Sequence, residues 1–243
     1  MTSPPLIPVD LGRGVRAAFT LGWQEPGSAG EGFNLSTALG DDVDRVAARL
    51  HTLEDWVGAP LARARQVHGA AVHHCRAAGE SVSADALLSS DPGLAVMVLV
   101  ADCVPILLAD RAAGVVASVH AGRRGMVAGV VGAAVAAMTT RGASAGAIRA
   151  VVGPAICGSC YEVPSELRDE VEAAVPGTTS TTSWATPALD LHSGIAAQLG
   201  AAGVRTVERL NICTLEDTRF FSHRAVEHGR PPGRFAGLAR LLG

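Results

Sequence analysis

The stretch LAVMVLVADCVPILLAD, residues 94–110, decides the fold. It is apolar almost throughout, the pattern of strands buried on both faces of a sheet rather than of half-exposed strands that alternate. Asp102 and Pro105 interrupt it, and a proline gives a strand no N–H for its ladder. The stretch therefore predicts two strands, or one strand that turns sharply, with Cys103 at the break. Two further runs of the same kind follow, GVVASVHAG at 114–122 and IRAVVGPAI at 148–156. Between them AGRRG reads as a glycine turn opening a helix over MVAGVVGAAVAAMTTRG, residues 126–142, whose small side chains allow close packing on a sheet.

Working outward, Asp41 and Asp42 precede VDRVAARLHTLEDWV, where apolar residues recur at helical spacing behind an acidic cap, so a helix is expected from about residue 42 to 57. RARQVHGAAVHHC predicts a short strand around Val67 and Val72, with His68 near a glycine bend. Towards the C-terminus, PSELRDEVEAAV and LDLHSGIAAQLGAAG read as helices, VRTVERL as a strand, and CTLEDTRFFSHR as part of an irregular stretch. TTSTTS, Thr178 to Ser183, reads as a surface loop. No repeat is visible, and residues 1–243 are expected to form one α/β domain, a layered sandwich of mixed β-sheets covered by helices.

The chain has 243 residues, 48% hydrophobic but only 4% aromatic, so its core must be built from Val, Leu, Ile and Ala. A formal charge of -3 supplies no basic surface for phosphate backbones and argues against nucleic acid as a partner. The N-terminus lacks a basic region followed by an apolar one, and both long apolar stretches are interrupted or too small-residue-rich to span a bilayer, so a cytoplasmic protein without a membrane partner is expected. Five cysteines, an odd number, speak for reduced thiols rather than a disulfide framework.

His68, Cys103 and His120 each fall at a strand end or in the turn beyond it, beside Gly69, Pro105 and Gly122. Such turns are where open sheets place their chemistry. Intervals of 35 and 17 residues are too long for a zinc finger but suit a site assembled from three separate turns. Two imidazoles and a thiolate leave a fourth position open, the mark of a catalytic rather than a structural zinc. The same residues also suit a metal-free cysteine nucleophile with a histidine base. Asp102 is placed either to orient a ligand histidine or to cap the strand break. Cys157 and Cys160 form a C-x-x-C without a second pair, and with Cys75 and Cys213 are read as packing.

The words QVHG, ADCVP and HAGRRG, then GPAI, CYEV, LDL and FFSHR, with FNL and GDD upstream, resemble the YfiH family, also called multicopper polyphenol oxidase or peptidoglycan editing factor. The order and spacing match over almost the whole chain. The resemblance implies a compact sandwich of the YfiH-like, cytotoxic-necrotizing-factor-like kind, with His68, Cys103 and His120 as ligands of zinc, copper being the other candidate. It also implies purine nucleoside chemistry: phosphorolysis of adenosine, inosine and methylthioadenosine, and adenosine deamination. Nucleoside and phosphate are then the expected partners of a monomer or small homo-oligomer. Arg65, Arg124, His223 and Arg224 are the candidates for holding the anion, and Asn34 and Gln66 for fixing the ribose or base. Where the family reads HAGWRG, this chain has Arg123 instead of tryptophan, which puts substrate preference in question. The competing expectations are a cysteine hydrolase or amidase editing peptidoglycan precursors, a copper-dependent polyphenol oxidase, and a metal-binding partner of the cell-wall or division machinery. Eight histidines without paired motifs are few for a multicopper cluster.

Overall fold

A computed structural model describes residues 3–28 and 32–243. The N-terminal part supplies β1 (Leu6–Pro8), β2 (Val15–Thr20) and α1 (Val43–Val57). Asp42 caps α1 by accepting the Arg45 amide, and Gly58 ends it at φ 76, a left-handed turn that glycine adopts without strain. Short strands β3 (Leu61–Ala62) and β4 (Val72–His74) follow, then β5 (Ala86–Ser89).

The deciding stretch becomes β6 (Ala95–Val100) and β7 (Val104–Asp110), separated by residues 101–103. The break does more than turn a strand. β6 belongs to a five-stranded sheet of order β1-β2-β13-β6-β3, where β13 is Phe235–Leu241. β7 belongs to a six-stranded sheet of order β12-β9-β7-β8-β5-β4, completed by β8 (Val115–Ala121), β9 (Arg149–Val152) and β12 (Thr206–Arg209). The chain thus crosses between sheets at Asp102, which takes φ 78. Both sheets mix parallel and antiparallel pairs.

Side-chain alternation sorts the residues into layers. Leu107 and Ala109 of β7 meet Phe19, Val96 and Ala239 of the other sheet, whereas Ile106 and Leu108 face the helices. The six-stranded sheet is covered on that side by α3 (Val130–Thr139), with α5 (Leu191–Ala201) packed against α3 and α4 (Ser165–Ala174) joining the same apolar cluster. Leu53 and Val57 of α1 cover the outer face of the five-stranded sheet against Met97 and Leu238. The order is helix, sheet, sheet, helices, the expected mixed α/β sandwich.

Three local expectations change. The helix after AGRRG is two, α2 (Arg123–Val127) and α3, because Gly129 at φ 85 turns the chain between them. TTSTTS is not a plain surface loop: β10 (Thr179–Thr181) pairs antiparallel with β11 (Pro187–Leu189), and Thr178 and Thr182 are buried. Val67 and His68 lie in a loop before β4, with His68 at φ 59. No helix among the described residues is long and apolar enough to cross a membrane.

Candidate metal and nucleoside site

Asp85 immediately precedes β5 and is fully buried. Its carboxylate accepts the amides of Val67, His68 and Gly69 at 2.8–3.2 Å and pairs with Nδ1 of His120 at 2.8 Å. Its own carbonyl accepts the His120 amide. One side chain therefore fixes the positive-φ loop carrying His68 and the ring carrying His120, and holding Nδ1 leaves Nε2 of His120 free to ligate. Burial pushes the Asp85 carboxyl up, but His120 and the Gly69 and His68 amides outweigh it and hold it below the ordinary range.

Cys103 arrives from the sheet crossing, with its sulfur 3.8 Å from Nε2 of His68. The two imidazoles stand edge to face at 81°, centroids 4.7 Å apart. One ligand atom from each of His68, Cys103 and His120 lies within 4.8 Å of the others. A Cβ on Gly122 would approach the sulfur to 2.7 Å and Cδ2 of His68 to 3.0 Å, so only glycine leaves this space free. The donor set fits a borderline-soft cation, zinc or copper.

Burial opposes charge on Cys103, yet hydrogen bonds to His120 and His68 bring its thiol down to about 6. Burial likewise opposes the imidazolium of His120, but Asp85 and Cys103 raise it to about 9. The two groups thus favour each other's charged form.

Two of the trio border a cavity of about 210 Å³. His68 and Cys103 form its floor, and the expected Arg124, His223 and Arg224 line it together with Arg123 and Tyr161. Arg224 lies over the Tyr161 ring at 5.6 Å, and the positive charge of Arg123 also acts on the Tyr161 hydroxyl. The charge that replaces the tryptophan thus faces the cavity. His223 and Arg224 open α6 (His223–Val226), whose start is capped by Ser222.

Three expected binding residues do not line this cavity. Both amide hydrogens of Asn34 go to Ser36 and Asp41, and its oxygen accepts the Ser36 and Arg234 amides. Gln66 both donates to and accepts from the Leu99 backbone, prolonging the edge of β6. Arg65 is spent on the Ser83 hydroxyl. Asp102 does not orient a ligand histidine: it accepts the Thr214 hydroxyl at 2.6 Å and the Arg224 amide at 2.7 Å, tying the sheet crossing to α6. Asp85 has the orienting role. Its one signal in the sequence is an acidic residue at the head of an apolar run, ADALL. Tyr161 and Arg234 were also missed, and the half-buried Arg234 feels the charges of Cys103 and Asp102.

Residues 21–242 match the family model described as multi-copper polyphenol oxidoreductase laccase. A purine nucleoside phosphorylase of Streptomyces griseus is 47% identical, over 92% of this chain and 93% of the relative. A protein named adenosine deaminase, from an unknown prokaryotic organism, is 36% identical over 93% of this chain and 94% of its own length. The crystal structure of YlmD from Geobacillus stearothermophilus superposes with a TM-score of 0.87 at 28% identity, covering 100% of this chain and 98% of that one. With the family model matched over residues 21–242, a relative 47% identical over nearly its whole length and the shared fold, the chain belongs to this laccase-like family, the YfiH family of the sequence resemblance.

Proposed function

We propose that this chain is a metal-dependent purine nucleoside phosphorylase, acting on adenosine, inosine and methylthioadenosine, with adenosine deamination as a second activity of the same site. The observation that carries this reading is a cavity lined by His68 and Cys103, with His120 buried behind them in the same cluster, whose walls present three arginines and a histidine. Zinc held by His68, Cys103 and His120 would supply a Lewis acid with one coordination position open.

The protein's own groups supply the rest. Phosphorolysis places a phosphate dianion against C1′ of the ribose while positive charge develops on the sugar, so it calls for fixed cationic donors on the anion's side. Arg123, Arg124, Arg224 and His223 are that set, and Arg224 is held by the Glu162 carbonyl and the Tyr161 ring. Tyr161 offers an aromatic face on the wall where the tryptophan is replaced. Asp85 keeps His120 in one orientation.

The test is product analysis on adenosine, inosine and methylthioadenosine, with and without phosphate. Free base and ribose 1-phosphate should form only when phosphate is present, and inosine from adenosine without it. Arg123→Ala should raise the KM for phosphate about tenfold, the order of one charge-assisted contact, and that for nucleoside much less. If adenosine and phosphate yield neither adenine nor inosine, the reading fails.

One observation favours a second reading. The Cys103 sulfur lies 3.8 Å from Nε2 of His68 at the cavity, the pairing of thiol and histidine base that also suits an amidase acting on peptidoglycan precursors. Alkylation of Cys103 at equal rates with and without zinc would favour it. The copper oxidase reading draws no such support, since each candidate ligand group among the described residues holds at most two histidines.

A further inference from the structure

Cys157 and Cys160 look incomplete as a site in the sequence, but the fold supplies the missing half. The loop after β9 runs beside the segment after β12, joined by a parallel bridge from Ala155 to Cys213. The bridge sets the C-x-x-C turn against a second turn of matching spacing, Cys213-Thr-Leu-Glu216. One ligand atom from each of Cys157, Cys160, Cys213 and Glu216 lies within 4.8 Å of all the others.

We infer that these four residues form a second, structural zinc site, separate from the His68, Cys103, His120 trio. Tetrahedral zinc places thiolate sulfurs about 3.8 Å apart and a sulfur and a carboxylate oxygen about 3.5 Å apart. Sγ of Cys160 and Oε1 of Glu216 already stand at 3.5 Å. The remaining pairs need to close by about 1.3 Å at most. The Cys157 amide donates to the Cys213 sulfur at 3.4 Å, a bond that stabilises a ligating thiolate. Cys160 and Cys213 are buried and Glu216 is exposed, so the cluster is closed on the protein side with a route in from solvent. Four protein ligands leave no open position, and thiolates select zinc over hard cations.

The site would clamp the cavity wall. Tyr161 directly follows Cys160 and lines the cavity, and Thr214 directly follows Cys213 and donates to Asp102. Packing alone explains the buried sulfurs, yet not a carboxylate turned towards three of them.

The test is metal counting by plasma mass spectrometry on reduced, zinc-loaded, desalted protein, with cobalt substitution as the spectroscopic probe. Wild type should hold two equivalents, and Cys103→Ala and Cys160→Ser one each. Cobalt in Cys103→Ala should keep the intense sulfur-to-metal charge transfer of a tetrahedral three-thiolate site. Glu216→Ala, an exposed change that should leave folding intact, should lose one equivalent to a chelator that wild type withstands. Were the trio not a metal site, wild type would hold one equivalent and Cys160→Ser none, so the two assignments fail separately. Metal-free Cys103→Ala, a Cys157–Cys160 disulfide in place of the second equivalent, or unchanged binding by both Cys160→Ser and Glu216→Ala would overturn the inference.

Discussion

Asp85 answers to four N–H groups from an environment with no water to replace them. An Asn there has the same size, but turns one acceptor oxygen into a donor facing other donors. Asp85→Asn should therefore cost about 2–4 kcal/mol of stability and about 10–100-fold in metal affinity, because a buried group loses its partners and a ligand loses its orientation. Denaturant melts together with zinc titration check both, and unchanged zinc affinity would remove Asp85 from the site. His68 shows the same dependence from the other side. A non-glycine residue at φ 59 carries strain that persists only where its surroundings hold it, here by the amide bonds to Asp85. Its position in QVHG was readable from the sequence, but the carboxylate that holds it was not.

At the scale of elements, α4 shows how a helix end is secured by its own side chain. Glu172 accepts the amides of Gly177, Thr178 and Thr179, and so fixes the turn from α4 into β10. The Gly177 and Thr179 amides hold its carboxyl down to about 2, against an ordinary 4.5. A folded pKa below the unfolded one means that the contribution is complete above pH 4.5 and is lost as pH falls towards 2. Glu172→Gln should thus lower Tm at pH 7, with the gap to wild type closing as pH drops below 4.5. A gap that stays constant on acidification would count against it. These contacts also explain why TTSTTS is structured: its polar composition reads as a loop, but the strand that pairs with it lies beyond Ser183 and cannot be seen locally.

At the scale of the molecule, the trio joins three parts of the chain. His68 comes from the loop before β4, Cys103 from the crossing between sheets, and His120 from the end of β8. An ion held there binds only the folded state. At a hundred times its Kd it contributes about 2.7 kcal/mol, a Tm rise of roughly 5–10 °C for a chain of this size. Zinc returned to chelated protein should raise Tm by that amount, and less in Cys103→Ala. Equal melting curves with and without zinc in both proteins would contradict a folded-state site.

The sequence by itself determined the buried strands and the break at Asp102 and Cys103, because burial writes apolar runs and their interruptions directly into local order, while the trio was named through the motifs of the family resemblance. Arg124, His223 and Arg224, named through the same motifs, line the cavity beside His68 and Cys103. Only the tertiary structure decided that the break joins two different sheets, that Asn34, Arg65 and Gln66 are spent on backbone and neighbouring side chains, and that Asp85 rather than Asp102 orients the histidine. The same holds for Cys157 and Cys160, whose partners Cys213 and Glu216 lie on a separate strand connection. Hydrogen-bond partners and ligand sets are fixed by which elements lie side by side, and neither spacing nor composition records that neighbourhood.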